Sequence, residues 1–336
     1  MNLIRRKVNK PATIVCLVAV CSSLLSACGG SGDSSDTTAG IGGTGIVSGQ
    51  ITGFGSIHVN GGKFETDTSR FDVDGDTSAD QSDLAVGMVV RLRVEVENGV
   101  FGNTALEVVY DDEIEGPLTN VMNSGPTIKT GTIFGKTITF DQASTIFVDT
   151  SFNTIGQNGD LLAEDVIEVS GFRTSETEIA ATYVRFKEDL RPGITEVELR
   201  GLIKTLAGTP PDETFVIDNI GITTNIATEL EVPNGMLVDG LYVEVEGVIQ
   251  TPTSVLAEEV EQEDEDFDDD IAKISLEGVV SGFTNINSDF FVGSQRVNAS
   301  TAELIPGGLI IADDLKVEVE GQVTGGLLIA DEVEEE

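Results

Sequence analysis

The sequence predicts an all-β fold, arranged as four small β units in tandem. Three observations carry that prediction. Apolar and charged residues alternate over short runs such as LRVEV from Leu92 and YVEVEG from Tyr242, the period of a strand wet on one face. No stretch sustains a helical period, and 38 glycines punctuate the apolar runs where turns belong. Three short motifs also recur in one order, four times over.

An opening motif carries Gly49, Gly116, Gly201 and Gly278, as in SGQITGF and EGVVSGF. A strand motif, VEVE or VEVEG in three units and IEVSG in one, starts at Val94, Ile167, Val243 and Val317, 73, 76 and 74 residues apart. A closing motif starts at Ala105, Ala181, Ala257 and Ala330. A constant period of this kind marks repeats. The units are read as residues 46–112, 113–188, 195–262 and 274–336. Residues 189–194 form a Pro-Gly linker, and residues 263–273 an acidic one. Five or six short strands in each unit suit a small barrel of the OB type or a compact β-sandwich. Closure hides edge strands, which favours the barrel. A unit this small buries only about 60% of its unfolded surface, so neighbouring units are expected to pack together.

The first residues read as a segment that is removed. Arg5, Arg6, Lys7 and Lys10 precede a short apolar run from Thr13 to Val20, the layout of a secretory signal peptide over residues 1–27. Leu25-Ser26-Ala27-Cys28 resembles a bacterial lipoprotein box. That resemblance implies lipidation at Cys28 and a membrane partner reached through the lipid. Cys16 and Cys21 lie in the removed segment, so Cys28 is the single mature cysteine. An unpaired thiol in an exported chain calls for a reason. Gly29 follows the cysteine where, by the same resemblance, an Asp would favour inner-membrane retention; the expected location is the outer membrane. Residues 28–45 read as a Gly/Ser-rich tether. Gly40, Gly42 and Gly45 match a dinucleotide fingerprint, but with neither a strand before them nor a helix after them the match carries no mechanism.

The whole chain has 19 basic and 58 acidic residues, a formal charge of −39. The signal segment holds four of the basic residues and no acid, which takes the mature charge to −43. Such a field repels nucleic acid and attracts cations. The chain has no Trp, which weakens any reading as a stacking platform for bases. Divalent ions are expected to bind weakly, no tighter than roughly 10⁻⁴ M.

Two stretches invite a site. GFGSIHVNGG, residues 53–62, holds the one histidine, His58. Ile57 and Val59 alternate with Ser56 and His58, and Asn60-Gly61 follows, a strong hairpin signal. His58 is therefore expected on the polar face of a strand, with no second His to make a metal or acid–base pair. DVDGDTSADQSD places Asp72, Asp74, Asp76, Asp80 and Asp83 at positions 1, 3, 5, 9 and 12 of a calcium-type loop, with Ser78 at 7. Position 6 is Thr77 where that loop needs Gly, and position 12 lacks the usual Glu. The plain reading is a solvated turn at Asp74-Gly75; the calcium reading is the alternative.

GIGGTGI from Gly40, the segment Gly49–Asp67 and the segment Leu84–Glu97 together resemble the bacterial domain-of-unknown-function 5666 family. The first unit carries the likeness most closely. It implies an exported, repeated β domain and supplies no catalytic residue. The sequence thus points to a non-enzymatic envelope lipoprotein that binds or scaffolds a protein or glycan, with no cofactor beyond weak Ca²⁺. The alternatives are an acidic surface protein binding divalent cations and a carboxylate-based hydrolase.

Overall fold

The computed structural model describes residues 42–149, 161–263 and 271–336. Cys28, the signal segment and most of the acidic linker lie outside the described residues. Among the described residues every element is a strand, apart from short 3-10 turns such as Gln81–Asp83.

Four consecutive groups of strands carry one pairing order. In the third group an opening strand, Glu196–Leu202 continued by Lys204–Thr209, pairs with the hairpin Asp212–Ile217 and Ile220–Thr223. The hairpin's second strand runs parallel to Ser254–Gln262, which pairs with Tyr242–Thr251, which returns to the opening strand. The order closes on itself as a five-strand barrel. The fourth group closes likewise through Lys273–Ser281, Phe290–Val292, Gln295–Asn298, Leu327–Glu335 and Lys316–Thr324. The second group follows the same order from Ile114–Pro117 to Glu178–Asp189. The first completes its ring through single bridges, Gly53 to His58 and Glu65 to Thr104. Closure leaves few bare edges, the physical advantage of a barrel over an open sheet.

The alternation that predicted the strands has the expected faces. Along Val89–Glu97, Val90, Leu92, Val94 and Val96 are buried and the charged residues between them exposed. In the opening stretch, Ile57 and Val59 are fully buried and His58 is half-buried. Asn60 (φ 49) and Gly61 (φ 63) make the two-residue turn. The same left-handed first position recurs in the other hairpins at Phe134 (φ 48), Asp218 (φ 51) and Gly293 (φ 60). His58 is thus a hairpin residue of the first barrel. His58→Ala is expected to change the unfolding free energy by less than about 0.5 kcal/mol. Ile57→Ala and Gly61→Val should each lower it clearly, the latter because a β-branched residue resists positive φ. Denaturant unfolding of the three variants decides, and a His58→Ala as damaging as Ile57→Ala would sink this register.

Two readings shift by a few residues. The structure starts its first strand at Gly42, inside the stretch read as tether. That strand, Gly42–Gln50, pairs on both sides, antiparallel to Val89–Glu97 and parallel to Lys273–Ser281. Ladders on both edges hold a glycine-rich segment that has little to bury. The strand motif of the first unit also moves. Gly49 pairs with Val90, as Gly201 pairs with Val243 and Gly278 with Val317. The counterpart of VEVEG in the first barrel is therefore Val90–Val94, four residues before VEVE at Val94. A shift of four keeps every side chain on its face, so the two-residue period does not reveal it.

The described residues fall within one compact unit. The second and third barrels share a continuous apolar core that includes Ile114, Phe140, Leu199 and Val245. The first barrel's core takes in Val148 and Tyr183 from the second. The fourth barrel's core takes in Ile46 from the first. The units are joined at their cores.

Candidate functional site: a buried ion network

In a lone barrel the charged residues of VEVE-type strands face water. Here several of those outer faces meet, and the charges become interior. Glu168 of the second barrel is fully buried. Tyr110 Oη donates to its Oε1 at 2.9 Å, and Lys187 Nζ donates to its Oε2 at 3.1 Å. Arg185 pairs with the same oxygen. Lys187 also reaches Glu115 at 2.6 Å. Beside them, Arg200 of the third barrel gives Nε and Nη2 to Glu244, both at 3.0 Å, and Nη2 to Glu198 at 3.1 Å. Its Nη1 donates to the backbone carbonyl of Asp112. Arg173 pairs with Glu113 at 2.7 Å and stacks 5.7 Å from the Tyr242 ring centre. A cleft of about 210 Å³ lies against this network, with Arg91, Arg173, Arg200, Tyr242, Glu277 and Gln295 among its walls, so all four barrels contribute.

The fourth barrel is braced similarly. Gln50 N–H donates to Glu277 at 2.6 Å, and Asn60 Nδ2 donates to Ser275 Oγ at 2.6 Å. Lys273 lies 4.9 Å from the Phe101 ring centre, and Lys316 lies 5.1 Å from that of Phe172.

The electrostatics follow from burial. Burial, then the Glu168 charge, raises Asp74 to about 8. Burial, then Asp74 and Glu168, pushes Asp112 well above the carboxylate range. Tyr110 is raised by burial and by Glu168. Burial works against the Arg200 charge, but Glu244, Glu198, Asp111 and Glu113 together raise the group well above its ordinary value. Burial, aided by a hydrogen bond with Glu244, raises Glu263 to about 8, against the pull of Arg200.

A pH dependence follows. A carboxyl raised in the folded state keeps a proton that the unfolded chain has already released. Between the ordinary Glu value of 4.5 and about 8 the folded chain binds more protons, so stability falls as pH rises. The thermal midpoint is expected to drop by a few degrees from about pH 5.5 to about pH 8.5, and Glu263→Gln should flatten part of that slope. A midpoint that rises over this window contradicts the assignment.

The five aspartates of the calcium-type loop are not brought together. Asp74 turns inward, where its Oδ1 accepts the Asp112 N–H at 3.2 Å. Asp76 Oδ1 instead accepts from Ser78 N–H and Oγ, at 2.8 and 2.6 Å. Asp80 caps the 3-10 turn by accepting from Ser82, while Asp83 accepts the Asp80 N–H at 2.8 Å. Asp72 lies half-buried in the strand Arg70–Val73. The carboxylates that do converge are Asp112, Glu115 and Glu168; strand alternation puts Glu115 and Glu168 on wet faces, and Asp112 lies in the link between the strands Val100–Tyr110 and Ile114–Pro117, so the sequence does not reveal them. One signal was present: six of the 19 basic residues fall between Arg173 and Lys204. Cations that dense in so acidic a chain mark where acids are buried.

Residues 115–185 and 200–261 match the model of the family described as Domain of unknown function (DUF5666). The matched segments are the second and third barrels. The likeness read at Gly49–Asp67 and Leu84–Glu97 lies outside the matched residues. No curated protein matches the chain. One matching solved structure, described as "drosophila Unr CSD456", is 11% identical with a TM-score of 0.19, covering 66% of this chain and 98% of that one.

Proposed function

We propose that this chain is a non-enzymatic lipoprotein of the cell envelope that presents a rigid four-barrel body to a protein or glycan partner. Its domains would be residues 46–112, 113–188, 195–262 and 274–336, with the first strand extended back to Gly42. Lipidation at Cys28 would tether it to the outer membrane. The supporting observation is a set of exposed apolar side chains on the third barrel. Leu202, Met236 and Val238 are 44%, 56% and 52% exposed. The segments that carry them are joined, since Ile203 N–H donates to Leu241 O at 2.9 Å and Leu206 N–H to Asp239 Oδ1 at 2.9 Å. Exposed apolar side chains on adjoining segments of a highly charged surface favour a contact role.

A photo-crosslinker at position 236 in cells is expected to capture a defined partner that a crosslinker at exposed Asn287 does not. Equal capture from both positions would remove this support. The anchoring is tested separately. The parent should partition into detergent with outer-membrane fractions, and Cys28→Ser should not. If both are soluble periplasmic proteins, the lipoprotein reading is wrong.

A further inference from the structure

Four carboxylates, Asp74, Asp112, Glu115 and Glu168, gather where the first barrel meets the second. Asp112 and Glu168 are 1% and 0% exposed. One carboxylate oxygen each from Asp112, Glu115 and Glu168 lies within 4.8 Å of the others. Oxygens so spaced can be bridged by a cation with bonds of about 2.3–2.6 Å. Lys187 and Arg185 meet this group from one set of atoms. Lys187 bonds Glu115 and Glu168, and Arg185 bonds Glu168. Neither is bonded to Asp112, whose Oδ1 is buried without any hydrogen-bond partner. A buried carboxylate oxygen with no donor is costly. Only with a cation bound would all four acids be ionised together, and they would then outnumber Lys187 and Arg185 by two.

We propose that Asp112, Glu115 and Glu168 form a binding site for one divalent cation of the calcium class. Asp74 closes the site, its Oδ1 held by the Asp112 N–H. An all-oxygen set suits a hard cation, and the one His of the chain sits apart in the Ile57–Val59 strand. Access runs through the turn at Asp74, where Gly75 and Asp76 are exposed. Two other acidic trios carry no such case. Glu231, Glu259 and Glu261 lie on an outer strand face without an orphaned oxygen, and Glu198 and Glu244 are already held by Arg200.

The test uses the full mature chain, stripped with chelator, in about 150 mM salt so that diffuse surface binding is screened. Calorimetric titration with CaCl₂ is expected to show one ion per chain, tighter than about 10⁻⁴ M. MgCl₂ should bind more weakly, because Mg²⁺ demands shorter bonds of about 2.0–2.1 Å. Asp112→Asn keeps the shape and removes the charge; it should weaken Ca²⁺ more than about tenfold, as for a lost ligand. Glu259→Gln should leave binding unchanged. Terbium gives a second readout. The chain has no Trp and three Tyr, so tyrosine must sensitise its emission. Two tyrosines stand beside the site: Tyr110, 2.9 Å from Glu168, and Tyr183, whose hydroxyl is raised by burial and then by the Glu168 charge. Tyr110→Phe combined with Tyr183→Phe should keep the calcium stoichiometry and cut terbium emission. Only weak multiple binding, or Asp112→Asn binding as the parent does, would overturn the proposal in favour of protons on Asp74 and Asp112. Terbium emission unmoved by the combined Tyr110→Phe and Tyr183→Phe change would overturn it too, by placing the ion elsewhere.

Discussion

Arg200→Ala is expected to lower the unfolding free energy of the chain by about 3–5 kcal/mol, the loss seen when one partner of a buried ion pair is removed. Arg200 is among the most buried cations here and serves three acceptors from two barrels. Glu244 takes two bonds, Glu198 one, and the carbonyl of Asp112 one. Removing the guanidinium leaves two buried carboxylates facing each other and a buried carbonyl without that donor. Arg200→Lys should recover only part of the loss, since one ammonium cannot reproduce the fork of Nε, Nη1 and Nη2. Arg93→Ala is the contrast: its pair with Glu107 is 3.6 Å long with an Arg side chain 53% exposed, and such pairs contribute about 0–1 kcal/mol. Equilibrium denaturant unfolding of the three variants gives the comparison. In an Arg200→Ala chain, Glu244→Gln should restore stability by relieving an unpaired buried charge. If Arg200→Ala costs no more than Arg93→Ala, the network does not hold the first and third barrels together.

What the sequence made legible was the part governed by local periodicity. Alternation placed Ile57, Val59, Leu92 and Val94 in cores, and Asn60-Gly61 fixed a hairpin turn with both residues left-handed. These are properties of neighbours in the chain. The junctions were not legible, for one physical reason. Glu115, Glu168, Glu198 and Arg200 obey the alternation, yet they face another barrel instead of water, and periodicity reports which face a residue is on but not what covers that face. The calcium-type spacing is put to other use for a related reason. Its spacing belongs to a loop that wraps one centre, whereas Asp76 and Asp80 spend their oxygens on Ser78 and Ser82 close by in sequence. Asp74 reaches inward, to a group of acids that includes Glu115 and Glu168 from strands far along the chain.

Gly247→Val is expected to exceed the roughly 3 kcal/mol at which ordinary overpacking ends. Gly247 closes the VEVEG motif of the third barrel, opposite Ala257, at a register shift between Glu246 and Gly247. There the bulge carries the strand against its partner's backbone. A Cβ at Gly247 would fall well inside 3.0 Å of the Leu256 carbonyl, and the same obstacle stands at Gly171 and Gly321, opposite Ala181 and Ala330. A side chain can turn away from an intruding methyl, but a carbonyl in a ladder cannot move without breaking its own hydrogen bonds. The first barrel is informative, because Val94 stands at the matching place opposite Ala105 and the register shifts on both sides of it. A side chain is accommodated there by a different backbone path. Gly307→Ala serves as the control, since nothing lies within 4 Å of its Cβ and its φ is not positive. That change should be neutral or should stabilise by about 0.4–1 kcal/mol, through the unfolded state. Chemical denaturation of both variants separates the two effects, and a Gly247→Val chain as stable as the parent would show that the bulge is not needed to close the barrel.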